Sequence, residues 1–80
     1  MNSTVFERVR DIVCEQFDAD SESITEDTDF LSELDADSLD VVELAMSIEE
    51  SFGIPQISED EIRGIQTVGD LVAYVERALG

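Results

Sequence analysis

The sequence has no histidine, no lysine and only one cysteine in 80 residues. Without histidine or lysine, no ordinary base is at hand to take a proton from a serine hydroxyl. One cysteine cannot staple the monomer with a disulfide, which fits a reducing compartment. No basic segment followed by an apolar one opens the chain, and no apolar run is long enough to span a bilayer. These absences lead to the expectation of one small, soluble, cytoplasmic domain over residues 1–80, acting as a monomer. Positive charge is scarce as well: Arg8, Arg10, Arg63 and Arg77 stand against 21 acidic residues, a net charge of −17. Nucleic acid and anionic membranes would repel such a chain, whereas proteins with basic surfaces would be steered towards it. Acidity can also accompany disorder, but a hydrophobic content of 42% with clear periodicity argues for a folded domain.

No segment alternates with period two, and the apolar pattern is helical. Thr4-Val-Phe-Glu7 reads as a capping box opening a helix over about residues 4–17, with Val5, Val9, Ile12, Val13 and Phe17 as its stripe. Cys14 is expected on the opposite side of that stripe, as an ordinary residue at a helix edge. Residues 18–37 form a long polar connection that needs pins, and Ile24, Phe30, Leu31 and Leu34 are the candidates. Its carboxylates do not match a calcium loop. Counting from Asp18, Ser23 stands where glycine is needed and Asp29 where glutamate is needed; from Asp35, a ligand position falls on Leu39. A second helix is expected from Asp37 or Ser38 to Phe52, stopped by Gly53 and Pro55. Ser58-Glu-Asp-Glu61 caps a short helix with Ile62 and Ile65 inward. Thr67-Val-Gly-Asp70 opens the last helix, with Val68, Leu71, Val72, Val75 and Leu79 buried. The expected fold is all-α, a small four-helix bundle of three main helices and one short one.

The second helix carries more apolar residues than one buried stripe requires. At about 100° per residue, Val41, Leu44, Ala45, Ile48 and Phe52 share one side. Leu39, Val42 and Met46 fall roughly opposite, interleaved with Glu43, Glu49 and Glu50, while Asp40, Ser47 and Ser51 form a polar flank. The second strip either packs against the long loop or docks a partner. In docking, its apolar anchors would enter a groove and its glutamates would meet basic residues. Methionine suits that role through its adaptability.

Ser38, in "DADSLDVVEL", admits three readings. A catalytic serine would need a base and an oxyanion hole, and here it has acidic neighbours and no G-x-S-x-G context. A helix cap is a second role, although Asp37 can cap and Asp40 can reach back. The third is covalent attachment of a phosphate-linked group, which a hydroxyl at an exposed helix N-terminus would accept from another enzyme.

The stretch "LDADSLDVVELAMSIEESFGI", with "FLSEL" before it and "TVGDLVAYV" after it, resembles the acyl carrier protein family, whose signature is an Asp-Ser-Leu triplet opening the second helix. The resemblance covers nearly the whole chain. It implies a four-helix bundle with no catalytic or metal site, and a 4′-phosphopantetheine arm on Ser38. A phosphopantetheinyl transferase would take the arm from coenzyme A with the help of Mg2+. The arm would carry acyl intermediates as thioesters between enzymes of dissociated fatty acid biosynthesis, enzymes expected to have basic docking surfaces. A specialised carrier for polyketide, lipid-modification or aminoacyl and peptidyl pathways is the alternative. Partner recognition would fall to Asp37, Leu39, Asp40, Val42, Glu43, Met46, Glu49 and Glu50. Acyl chains would tuck between helices, partly against the inner face of the second helix. Two departures stand out: Asp35 occupies a position that is often glycine, and "FGIPQISEDE" is one residue longer than the commonest pattern.

Overall fold

The computed structural model describes residues 3–79. Four α-helices follow in order: α1 (Ser3–Phe17), α2 (Ser38–Phe52), α3 (Glu59–Gly64) and α4 (Val68–Leu79), with one 3-10 turn at Ser21–Ser23. Among the described residues there is no strand, only an isolated antiparallel bridge between Asp29 and Thr67. The all-α bundle of three main helices and one short one is therefore as expected.

Local signals explain most helix ends. Both α1 and α2 close on a left-handed residue, Asp18 (φ 54°) and Gly53 (φ 65°). In each case the next N–H folds back onto a carbonyl of the last turn, Ala19 to Cys14 at 3.1 Å and Ile54 to Glu49 at 3.2 Å, which satisfies carbonyls left over at the helix end. Ser58 accepts the N–H of Glu61 at the start of α3. At α4, Thr67 Oγ1 accepts the N–H of Asp70 while the Asp70 carboxylate accepts the N–H of Thr67, a complete capping box. The start of α1 differs from expectation. The helix begins at Ser3, so Thr4 lies inside its first turn rather than at its cap.

The core is aliphatic. Val9 and Val13 of α1, Leu44 and Ile48 of α2, and Val68, Leu71, Val72 and Val75 of α4 are fully or almost fully buried. Each set lies on one helical stripe, and the three stripes meet because each helix has one face to hide from water. Two expectations shift at the edges. Leu79 is half exposed, beyond the reach of the core at the end of α4. Cys14 is half-buried and packs against the core rather than lying opposite it.

The long connection is pinned more firmly than its polarity suggests. Ile24 and Phe30 are buried and Leu34 packs beside them, while Ala36 and Thr28 are buried too. Leu31 is 61% exposed and is not a pin; backbone bonds fasten the loop as well. Phe30 N–H donates to Gln66, Val68 N–H to Thr28 and Gly69 N–H to Glu26, all at 3.0 Å or less. These bonds sew the loop to the start of α4. They also explain glycine at position 69, because a Cβ there would sit 2.9 Å from the Glu26 carbonyl oxygen. Glycine at 69 is therefore required by the approach of the loop, despite its low helix propensity.

Candidate functional site

Ser38 is the first residue of α2, and it is exposed. Capping is done by its neighbours: Asp40 N–H donates to Asp37 Oδ1 at 2.9 Å and Asp37 N–H donates to Asp40 Oδ2 at 3.2 Å. Among the described residues the Ser38 hydroxyl has no hydrogen-bond partner. The capping role is thus filled without it. Asp35, three residues earlier, holds φ 55°. That left-handed conformation favours glycine and is tolerated by aspartate at some cost. It turns the chain from the loop into α2, with Ala36 N–H bonded to the Phe30 carbonyl at 2.9 Å.

Ser38 opens onto a cleft of about 610 Å3. One wall is the loop from Asp29 to Ser32, a second is Val41 and Val42 of α2, and a third is Glu59, Ile62 and Arg63 of α3 with Ile65 and Gln66 beyond it. The floor is apolar: Phe30 and Val41 are buried, and Ile62 and Ile65 are half-buried. The loop wall is rigid for a loop, since the Asp29 carboxylate accepts the N–H groups of Leu31 and Ser32, and Glu33 accepts that of Asp29. An exposed hydroxyl beside an apolar cleft suits a serine that bears a group with an apolar cargo. It does not suit a nucleophile, because the Asp37 and Asp40 carboxylates beside it are committed to the cap and neither accepts a bond from the Ser38 hydroxyl among the described residues.

The outward strip of α2 is partly as expected. Leu39 and Met46 are 64% and 57% exposed, and Val42 is half-buried because it lines the cleft. Of the strip, only Val42 thus shares the cleft with the loop. The carboxylates separate into two kinds. Asp37 and Asp40 are tied up in the cap, and Glu49 accepts the N–H of Ile57 at 2.7 Å, anchoring the loop between α2 and α3. Glu43 faces α1, where it accepts a 3.3 Å bond from Gln16, and Glu50 is exposed on that same side, beside Ile12 and Gln16. Phe52 is half-buried under the guanidinium of Arg8, which lies 4.3 Å from the ring centroid and donates to the Ser51 carbonyl at 2.7 Å. Leu31, expected to pin the loop, instead stands exposed on the loop wall of the cleft. Nothing in the local pattern marked it apart from Phe30 and Leu34.

Among the described residues no cluster of acidic, cysteine or histidine side chains has the arrangement of a metal site. Burial pushes the Cys14 thiol above its ordinary pKa, and Asp11 and Asp20 push the same way against Arg10, which disfavours the thiolate.

A family model described as "Phosphopantetheine attachment site" matches residues 7–75. An acyl carrier protein of Phenylobacterium zucineum is 53% identical over 78 residues, covering 98% of each chain. One from Lactobacillus acidophilus is 42% identical over 76 residues, covering 95% of this chain and 94% of its own. The chain belongs to the acyl carrier protein family. Solved structures agree in three dimensions. The Thermotoga maritima acyl carrier protein superposes with a TM-score of 0.80 at 32% identity, covering 96% of this chain and 88% of its own. The Enterococcus faecalis protein does so with a TM-score of 0.78 at 30% identity, covering 95% of both. Acyl carrier proteins are carriers, not enzymes, and phosphopantetheine is their prosthetic group. They work with synthesis enzymes and acyl chains. No helix among the described residues is long and apolar enough to cross a membrane.

Proposed function

We propose that this chain is a single carrier domain over residues 1–80, acting as a cytoplasmic monomer in dissociated fatty acid biosynthesis, with the 4′-phosphopantetheine arm attached at Ser38. One observation carries the assignment of Ser38: its hydroxyl is exposed and unpartnered at the start of α2 because Asp37 and Asp40 supply the cap. The residues present fit the arm. The hydroxyl is free to accept a phosphodiester, and the adjoining cleft is apolar enough to shelter an acyl chain between the loop, α2 and α3. When attached, the arm supplies a thiol that holds the acyl group as a thioester. The chain's own residues do the rest. Phe30, Val41 and Ile62 exclude water from the cleft, and Asp37 and Asp40 hold the helix start at which the serine is presented.

The partners are a phosphopantetheinyl transferase, which loads Ser38 with Mg2+, and synthesis enzymes with basic docking surfaces. For these, Leu39 and Met46 are the apolar anchors, extended by Leu31 across the cleft mouth; Glu50 is exposed to meet basic residues, and Glu43 can join it by giving up its single exposed 3.3 Å bond from Gln16. Asp37, Asp40 and Glu49 add charge to the same surface while also holding the fold, and Val42 guides the chain into the cleft. Intact mass after incubation with coenzyme A, Mg2+ and a broad-specificity transferase tests the assignment. Wild type should gain the mass of the arm and Ser38→Ala should not. No gain in wild type, or equal gain in both, sinks it.

A further inference from the structure

The start of α2 is a poor place for another anion. A helix N-terminus ordinarily welcomes a phosphate through its free N–H groups and positive end. Here the N–H of Asp40 is already taken by Asp37, and the two carboxylates of the capping box stand at that end. The chain as a whole carries −17. A phosphodiester on Ser38 would therefore gain from a counter-charge elsewhere in the fold.

Arg63 is the cation that lines the cleft with Ser38. The other three arginines lie over aromatic rings: Arg8 over Phe52 at 4.3 Å, Arg10 over Phe6 at 5.7 Å and Arg77 over Tyr74 at 5.8 Å. Among the described residues Arg63 has only an ion pair with Asp60, 4.0 Å long, between side chains that are 77% and 95% exposed. Such a contact is weak and readily exchanged for a better one. Of the two acidic groups that also line the cleft, Asp29 is occupied by the N–H groups of Leu31 and Ser32, while Glu59 sits in the first turn of α3.

We propose that the Arg63 guanidinium is the counter-charge that holds the phosphodiester of the arm on Ser38 and directs the arm along the cleft. The planar fork of arginine matches two phosphate oxygens at once, which a point charge could not do as well. The contact also ties α3 to the start of α2. No residue of α3 itself is fully buried, and Ile62 is only half-buried, so a bond from the arm would add a fastening that the unloaded fold lacks. This inference rests on attachment at Ser38.

The test compares wild type, Arg63→Gln and Arg63→Lys, each unloaded and then loaded with coenzyme A, Mg2+ and transferase, with loading confirmed by intact mass. In wild type the Arg63 Nε–Hε signal should shift on loading and exchange more slowly with water. The phosphorus resonance of the arm should differ between wild type and Arg63→Gln, with Arg63→Lys in between. Loading should raise the melting temperature more in wild type than in Arg63→Gln, and that difference should shrink as salt is added. An unmoved Arg63 signal together with the same phosphorus resonance in wild type and Arg63→Gln overturns the proposal while leaving attachment intact. Failure of wild type to gain the arm's mass overturns attachment, and the counter-charge with it. Should Arg63→Gln fail to fold, the wild-type signal and Arg63→Lys still decide the matter.

Discussion

The two faces of α2 are built from similar residues and do opposite things. On the inner face Val41, Leu44, Ala45 and Ile48 are buried, and Val41, Leu44 and Ile48 share one core with residues of α1 and α4. On the outer face Leu39 and Met46 are as apolar, yet more than half exposed. The inner face is held because α1 and α4 each bring a stripe to meet it. The outer face stays open because the long loop, which could have covered it, is drawn away to α4 by Phe30, Val68 and Gly69 backbone bonds. Only Val42 shares the cleft with the loop wall. Apolar surface left open beside carboxylates supports the docking role proposed for this face.

Substitution should separate the two faces. The largest loss of stability is expected from Leu44→Ala, which removes a side chain that is 1% exposed. The cavity should cost about 2–5 kcal/mol, a large share of what so small a domain has, and urea denaturation would show it. Next comes Glu49→Ala, which leaves the Ile57 N–H without its 2.7 Å partner. A loss of about 1–2 kcal/mol is expected, with most of it restored by Glu49→Gln, whose amide oxygen can still accept. A null result would show that this bond does not hold the fold, leaving Glu49 only the partner role proposed for it.

Charge distinguishes the faces in another way. The surface carries most of the −17, and its self-repulsion should be screened by modest salt or Mg2+. The melting temperature should rise through such a titration; a flat or falling curve would contradict this. Glu43→Lys should hardly change stability, since Glu43 makes one exposed bond to Gln16, but should slow association with basic partners measured by stopped flow. The smallest effect on folding is expected at Met46→Ala, within about 0.5 kcal/mol, while acyl transfer by partner enzymes falls. Equal loss of helicity in that variant would show Met46 to be part of the core.

Much of this was legible in the sequence because it is written locally. Helix caps at Ser58 and Thr67, the stop at Gly53 and the inner stripe of α2 each depend on residues within one or two turns. The family signature around Ser38 was equally plain. Three features were not. Leu31 and Phe30 look alike in the chain, and only the turn held by Asp29 sends one outward and one into the core. The glycine at 69 reads as a weak helix residue until Glu26 is seen against it. Glu49 reads as a surface carboxylate until the loop before α3 comes back to it.

By itself, then, the sequence determined four helices, their buried stripes, the acidity and the serine at the head of α2, because periodicity, capping and composition are properties of short stretches. The tertiary structure decided which apolar residues stay uncovered, which carboxylates are already bound and which arginine shares the cleft with Ser38. Those depend on where the long loop and α3 come to rest, and that is set by bonds between residues far apart in the chain, such as Phe30 to Gln66 and Gly69 to Glu26.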